Sequence, residues 1–208
     1  MTPLFGPRAP ATQLATSLLP GELRRPEVPV EKSSRTAEII DAARTILEAE
    51  GADALTMRRI ADRLGIQAPS LYKHFASKKA IEVALVTDGL AEIGEATHSA
   101  LHEPGSSSPI ARLLVAYRAL CVANAAVYRL ATQSSFARDE LPAGLEEWAG
   151  NPFYVVTGDP ALAQALWSFA HGMVVLELDG RYPAGSDLDA AWRAGARAFE
   201  RATSTGDL

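Results

Sequence analysis

Apolar residues recur at helical spacing along most of the chain, and no segment alternates as a strand does. Between residues 35 and 50, Ile39, Ile40, Ala43, Ile46 and Leu47 share one face, with Ser33 or Ser34 as the cap and Gly51 at the end. Thr56 caps a second helix whose inward side is Met57, Ile60, Ala61 and Leu64, and Gly65 makes the turn. Pro69 falls in the first turn of a third helix, where its missing N–H costs nothing, and Leu71 and Phe75 face the core. Ser77 caps a fourth helix, roughly 78–101, and the run HEPGSSSP at 102–109 interrupts the pattern. Ser108–Pro109 starts a helix to about Asn124, another covers 125–136, and a short one lies near 142–149. Asp159–Pro160 opens 160–178, and Ser186 with Asp189 gives a capping box for the last helix, 187–203. With no strand pattern and no internal repeat, the expected fold is all-α.

Charge is divided unevenly along this pattern. The formal net charge is −5, yet residues 56–80 carry six basic side chains (Arg58, Arg59, Arg63, Lys73, Lys78, Lys79) against one acid, Asp62. Residues 85–208 carry eight basic and fifteen acidic groups, so that part should repel a polyanion. A compact basic helix-turn-helix on an acidic protein is the footprint of a DNA reader. In such a unit the second helix enters the major groove with its N-terminal residues against base edges. Those residues are Gln67, Ala68, Pro69, Ser70 and Lys73. Gln67 suits adenine, Ser70 several edges, Ala68 and Pro69 a thymine methyl, and Arg58 on the preceding helix a guanine. Thr56, Tyr72, His74 and Lys78 are placed for phosphate contacts, the last beside the helix start that Ser77 caps. Arg59 and Arg63 read as a solvated face or as ion pairs.

Residues 1–32 hold six of the thirteen prolines and no periodicity, and read as a disordered tail rather than a signal peptide. Its Arg8, Arg24 and Arg25 are candidates for a minor-groove arm, against the plainer reading of a solvated tail. The apolar run 160–178 contains Gln164, His171 and Glu177 and reads as a buried helix, not a membrane span. A single cysteine, Cys121, excludes an intrachain disulfide and suits a reducing, cytoplasmic setting.

The run Thr56-x-x-x-Ile60-Ala61-x-x-Leu64-Gly65-Ile66, then Ser70-Leu71-Tyr72-Lys73-His74-Phe75, then Ser77-Lys78 resembles the TetR family of bacterial repressors. The match covers residues 35–90 or so. Trp167-x-x-x-His171-Gly172 is similar to a Trp-His-Gly signature found in one group of TetR regulatory domains. The resemblance implies an N-terminal three-helix DNA-binding domain, at 33–80, followed by a helical ligand-binding and dimerisation domain, at 81–208. It also implies a homodimer on a palindromic operator, released when a small molecule binds, with no cofactor.

The residues themselves agree with that plan. A helix apolar on every side needs burial on every side, so 160–178 can serve both the domain core and a symmetry mate. Helix 187–203, with Ala190, Ala191, Ala194 and Ala198 beside Trp192 and Phe199, can pack next to it and complete an isologous interface. Aromatics concentrate in the C-terminal part, where an apolar pocket with a few polar groups is expected. Tyr117, Cys121, Tyr128, Phe136, Trp148, Trp167 and His171 are the candidate ligand residues, with Asn124 and Gln133 as polar neighbours. The helix at 78–101 joins both domains and is the expected lever between them.

An enzyme is the first rival. His98 and His102 are four apart, but no third ligand completes a metal set, and they read as a surface pair. Cys121 sits among apolar residues and reads as an inert thiol. No phosphate loop or nucleophile elbow is present, so no enzymatic activity is expected. The other rivals are a helical protein-interaction module and a ligand-dependent activator on the same fold.

Overall fold

The computed structural model describes residues 19–27, 33–133 and 136–204. Among these there are helices and no strands. In order they are α1 (Ser34–Glu50), α2 (Met57–Leu64), α3 (Ala68–Leu71), α4 (Lys78–His102), α5 (Pro109–Ala123), α6 (Ala125–Thr132), α7 (Leu145–Thr157), α8 (Pro160–Leu178) and α9 (Leu188–Ser204), with a 3-10 turn at Arg138–Glu140. The all-α expectation holds.

Local chemistry sets the ends of the first helices. Ser33 Oγ accepts from Thr36 N at the start of α1, and Thr56 Oγ1 accepts from Arg59 N at the start of α2. Gly65 ends α2 at φ +65°, the left-handed conformation that a side chain disfavours, and this directs the chain into α3. Ile39, Ile46, Leu47, Leu55, Ile60 and Leu71 then close on Ile81 and Leu85 of α4 in a first core. Val127 and Leu130 of α6 belong to the same core, so it runs past residue 80 into the second half of the chain. A second core gathers α5, α7, α8 and α9 around Leu113, Tyr117, Phe153, Leu166, Val174 and Trp192.

Four expectations about these elements need correction. The helix expected over 125–136 ends at Thr132, where Gln133 turns extended at ψ 140°. The cap of α9 is Asp187, whose Oδ1 accepts from Ala190 N, while Ser186 Oγ donates back to Pro183 O. The short helix near 142–149 is α7, and it continues through Pro152 to Thr157. A proline inside a helix strips the carbonyl four residues back of its partner. That carbonyl is Trp148 O, and His98 Nε2 of α4 lies 3.0 Å from it and supplies the missing donor. The fourth correction concerns the tail. Residues 19–27 pack against α4 and α7: Asn151 Nδ2 donates to Gly21 O at 3.0 Å, and Leu23 N donates to Asn151 Oδ1 at 2.8 Å. The remaining tail residues, Arg8 among them, lie outside the described residues. Arg25 is engaged on the C-terminal half of the molecule, paired with Glu95 and 5.8 Å from the Trp148 ring centroid.

Helix α8 is long and apolar enough to cross a membrane by length and composition. Within one chain it buries a single stripe, Ala163, Leu166, Ala170 and Val174, rather than every side. Trp167 and Leu176 remain more than two-fifths exposed. Among the described residues, nothing beyond its chain neighbours and the backbone of its own helix lies within 4 Å of where a Cβ on Gly172 would stand.

Candidate DNA-reading surface and effector cavity

The first site is a surface. The α2–turn–α3 unit exposes Thr56, Arg58, Gln67, Pro69, Tyr72, Lys73 and His74, with Ser70 half-buried. Among the described residues Arg58 is held by a 3.9 Å approach to Asp62, and its side chain is 90% exposed. Tyr72 leaves 54% of its surface in solvent. Ala68 packs partly against the first core, so it serves the fold as well. Lys78 is already engaged: its Nζ donates to Ala52 O at 3.2 Å and lies 3.3 Å from Glu82. Arg59 pairs with Glu50 at 2.8 Å, as its ion-pair reading expected.

The second site is a cavity of about 430 Å³ between α4, α5, α6, α7 and α8. Tyr117, Cys121, Tyr128, Trp167 and His171 line it together with Asn124 and Phe153. Tyr117 Oη lies 3.0 Å from Tyr128 Oη, which lies 2.5 Å from His171 Nδ1. The His171 ring stacks on Trp167, centroids 5.5 Å apart and 18° from parallel. Burial pushes the Tyr117 and Tyr128 hydroxyls up and the His171 imidazole down. Each shift favours the uncharged form, so these three walls are neutral at pH 7. The charged lining is the Arg138–Glu146 ion pair, partly exposed on both sides.

Two expected ligand residues lie outside this lining. Phe136 packs against the first core, and Trp148 points to the opposite side of α7, between Gly94 and His98. Gln133 is exposed and also outside it. The sequence reading missed Gly89, Leu90 and Ile93 of α4, Arg138, and Glu146 and Ala149 of α7. The α4 residues carry no signal that separates a cavity wall from a core. The structure accounts for Gly89: a Cβ there would stand 2.8 Å from Val127 Cγ1 and push α6 away. A broader groove of about 900 Å³ runs between α5 and α9, and none of the expected ligand residues lines it.

Cys121 is fully buried, and desolvation pushes its thiol up to about 12, outweighing the opposite effect of Tyr117. The native protein should therefore resist iodoacetamide at pH 8 and react only on unfolding, as mass spectrometry would read.

Two sites thus define the molecule: a helix-turn-helix head with an exposed polar face, and a helical body around a cavity. Residues 39–85 match the family described as bacterial regulatory proteins, tetR family. The chain is 48% identical over 61 residues to the tetracycline repressor protein class A from transposon 1721 of Escherichia coli, a match covering 29% of this chain and 27% of that one. It is 28% identical over 170 residues to an uncharacterized helix-turn-helix regulator, Rv0681, of Mycobacterium tuberculosis, covering 68% and 69%. The chain thus spans about a quarter of the length of the tetracycline repressor it matches. A solved protein of unknown function from Rhodococcus sp. RHA1 shares the fold, with a TM-score of 0.70 at 21% identity over 85% of this chain and 98% of that one. Residues 39–85 thus carry a DNA-binding domain of the TetR type, and the chain is similar to TetR-family transcriptional regulators.

Proposed function

We propose that this regulator is a ligand-responsive repressor that binds a palindromic operator as a homodimer and leaves it when a small molecule enters the cavity. One observation carries the reading: the reading head and the cavity share structural members. Helix α6 gives Val127 and Tyr128 to the cavity, and gives Val127 and Leu130 to the head's core. Its first N–H groups are held by Glu48 of α1, with Ala126 N and Val127 N each 3.0 Å from a carboxylate oxygen. Helix α4 lines the cavity with Leu90 and Ile93, and its Glu92 pairs with Arg44 of α1 through two bonds of 2.7 Å. A ligand that moves α6 or α4 must move α1, and DNA must oppose that ligand by the same factor. The names of relatives as tetracycline repressors support repression and small-molecule release.

Dimerisation would use α8 and α9, whose outward faces carry Trp167, Leu176, Ala190, Ala194 and Ala198. Trp167, His171 and Gly172, all on α8, are the residues on which the resemblance to the Trp-His-Gly type of regulatory domain rests. The protein would act in the cytoplasm, without turnover.

Selection of bound fragments from a random duplex pool tests the whole reading. A recovered palindrome is the expected result; binding with no enriched sequence would overturn it. Arg58→Ala and Lys73→Ala should each cost about 1–3 kcal/mol of discrimination between sites. Lys78→Ala should weaken all duplexes alike and shallow the salt slope by about one unit. Unchanged site preference in the first two variants would remove those residues from the readout.

A further inference from the structure

Glu22 belongs to the N-terminal segment 19–27. Its side chain is only 3% exposed, between two imidazoles of α4. His98 Nδ1 lies 2.8 Å from Oε1, and His102 Nε2 lies 2.9 Å from Oε2. These are direct hydrogen-bond distances, and they correct the reading of the histidines as a surface pair. Among the described residues no set of side chains is arranged to hold a metal ion.

The hydrogen bonds of His98 fix a proton count. Its Nε2 faces Trp148 O, an acceptor, and so must carry hydrogen. Its Nδ1 faces a carboxylate, also an acceptor unless protonated. A neutral ring cannot donate through both nitrogens. The pair Glu22–His98 therefore holds one proton more than an ionised carboxylate beside a neutral imidazole. Burial alone would raise the Glu22 carboxyl, but the Leu19 N–H and the two imidazoles outweigh it and hold the group below its ordinary value. The geometry thus counts one extra proton, shared between Oε1 of Glu22 and Nδ1 of His98. Among the described residues, the other titratable groups facing the cluster are His102 of α4 and the Arg25–Glu95 pair, and α7 contributes Trp148 and Asn151.

We propose that residues 19–27 are a proton-dependent strap that clamps α7 onto the C-terminal half of α4 and so braces the wall of the effector cavity. Trp148 and Asn151 of α7 face the strap, while Ala149, Gly150 and Phe153 of the same helix line the cavity. Docking takes up a proton whenever the free histidine is neutral, that is, above the ordinary imidazole range. The strap is then held at pH 6 and released as the pH rises. At the acid extreme the sign reverses, because Glu22 is held below its ordinary value and the contact is lost as it protonates.

The test is hydrogen exchange of the whole protein from pH 6 to 9, corrected for the intrinsic rate. Protection of 19–27 and of 145–157 should fall with pH, by up to about tenfold per unit at the steepest part, while α9 stays level. Glu22→Gln should remove that slope. In protein labelled with 15N-histidine, one ring should give the imidazolium pattern at pH 7 and lose it in Glu22→Gln. Protection of 19–27 that is flat across this range, or neutral patterns for every ring, would overturn the proposal. Should Glu22→Gln fold poorly, His102→Gln keeps the test open: it removes one partner of Glu22, and the slope should shift towards lower pH.

Discussion

Leu71→Ala should silence DNA binding while leaving the second core folded. Leu71 is completely buried, and it anchors a helix of only four residues. A helix that short has no stability of its own and depends on tertiary packing. Its place is held by the contact of Leu71 with the first core and by Phe75 just beyond it. Truncating a buried leucine costs about 2–5 kcal/mol, once the cavity left behind is included. That is a large share of the stability of a small domain. The loss falls on the segment carrying Gln67, Pro69, Ser70, Tyr72 and Lys73, so the spacing proposed to meet the groove goes first. The three tryptophans (Trp148, Trp167 and Trp192) all lie outside the head, which separates the two effects. Tryptophan emission should keep its native maximum while fluorescence anisotropy shows no binding to the selected duplex. Retained affinity would mean that α3 is held by something other than its core contact.

The head was legible in the sequence because each of its parts answers a local question. Thr56 and Ser77 cap, Gly65 turns, and Ile60, Leu71 and Phe75 keep helical spacing, all within about twenty residues. The cavity was half legible for the same kind of reason. Tyr117, Tyr128, Trp167 and His171 stand out as polar-tipped rings in apolar helices, and the structure brings them to one wall. Leu90 and Ile93 look like any core residues, and only the crossing of α4 over α6 and α7 makes them lining. Trp148 was misplaced because its partner is an absence. It fills the space a side chain at Gly94 would take, with ring atoms 2.3–2.8 Å from where that Cβ would stand. Helix α7 continues past 149 and through Pro152 because Trp148 O is satisfied by a donor fifty residues away. The segment 19–27 was read as tail because its order rests on Glu22 meeting two histidines more than seventy positions on. Long-range polar contacts of this kind leave no periodic trace.

Gly195→Ala should destabilise the body of the protein and weaken the proposed dimer, although glycine-to-alanine normally strengthens a helix. The helical gain is about 1 kcal/mol. Against it stands a close approach: a Cβ on Gly195 would lie 2.1 Å from Phe169 Cζ and under 3 Å from two further ring carbons. The ring of Phe169 has little room to yield. It sits edge-on to Trp192 at 5.7 Å and tilted against Phe199 at 5.8 Å, both on α9 itself. Overpacking of this kind costs about 1–3 kcal/mol, so the clash wins in all but its mildest form. Relief comes from sliding α9 along α8, and those two helices carry the faces proposed to meet the second subunit. A shift there spoils two copies of the contact at once, because an isologous interface repeats every error. A loss of about 1.4 kcal/mol at the interface is a tenfold rise in the dimer dissociation constant, which sedimentation equilibrium would resolve. The melting temperature should fall in the same samples. A more stable variant that stays dimeric would show that α8 and α9 are not close-packed at this point, and the two-helix interface would lose its geometric basis.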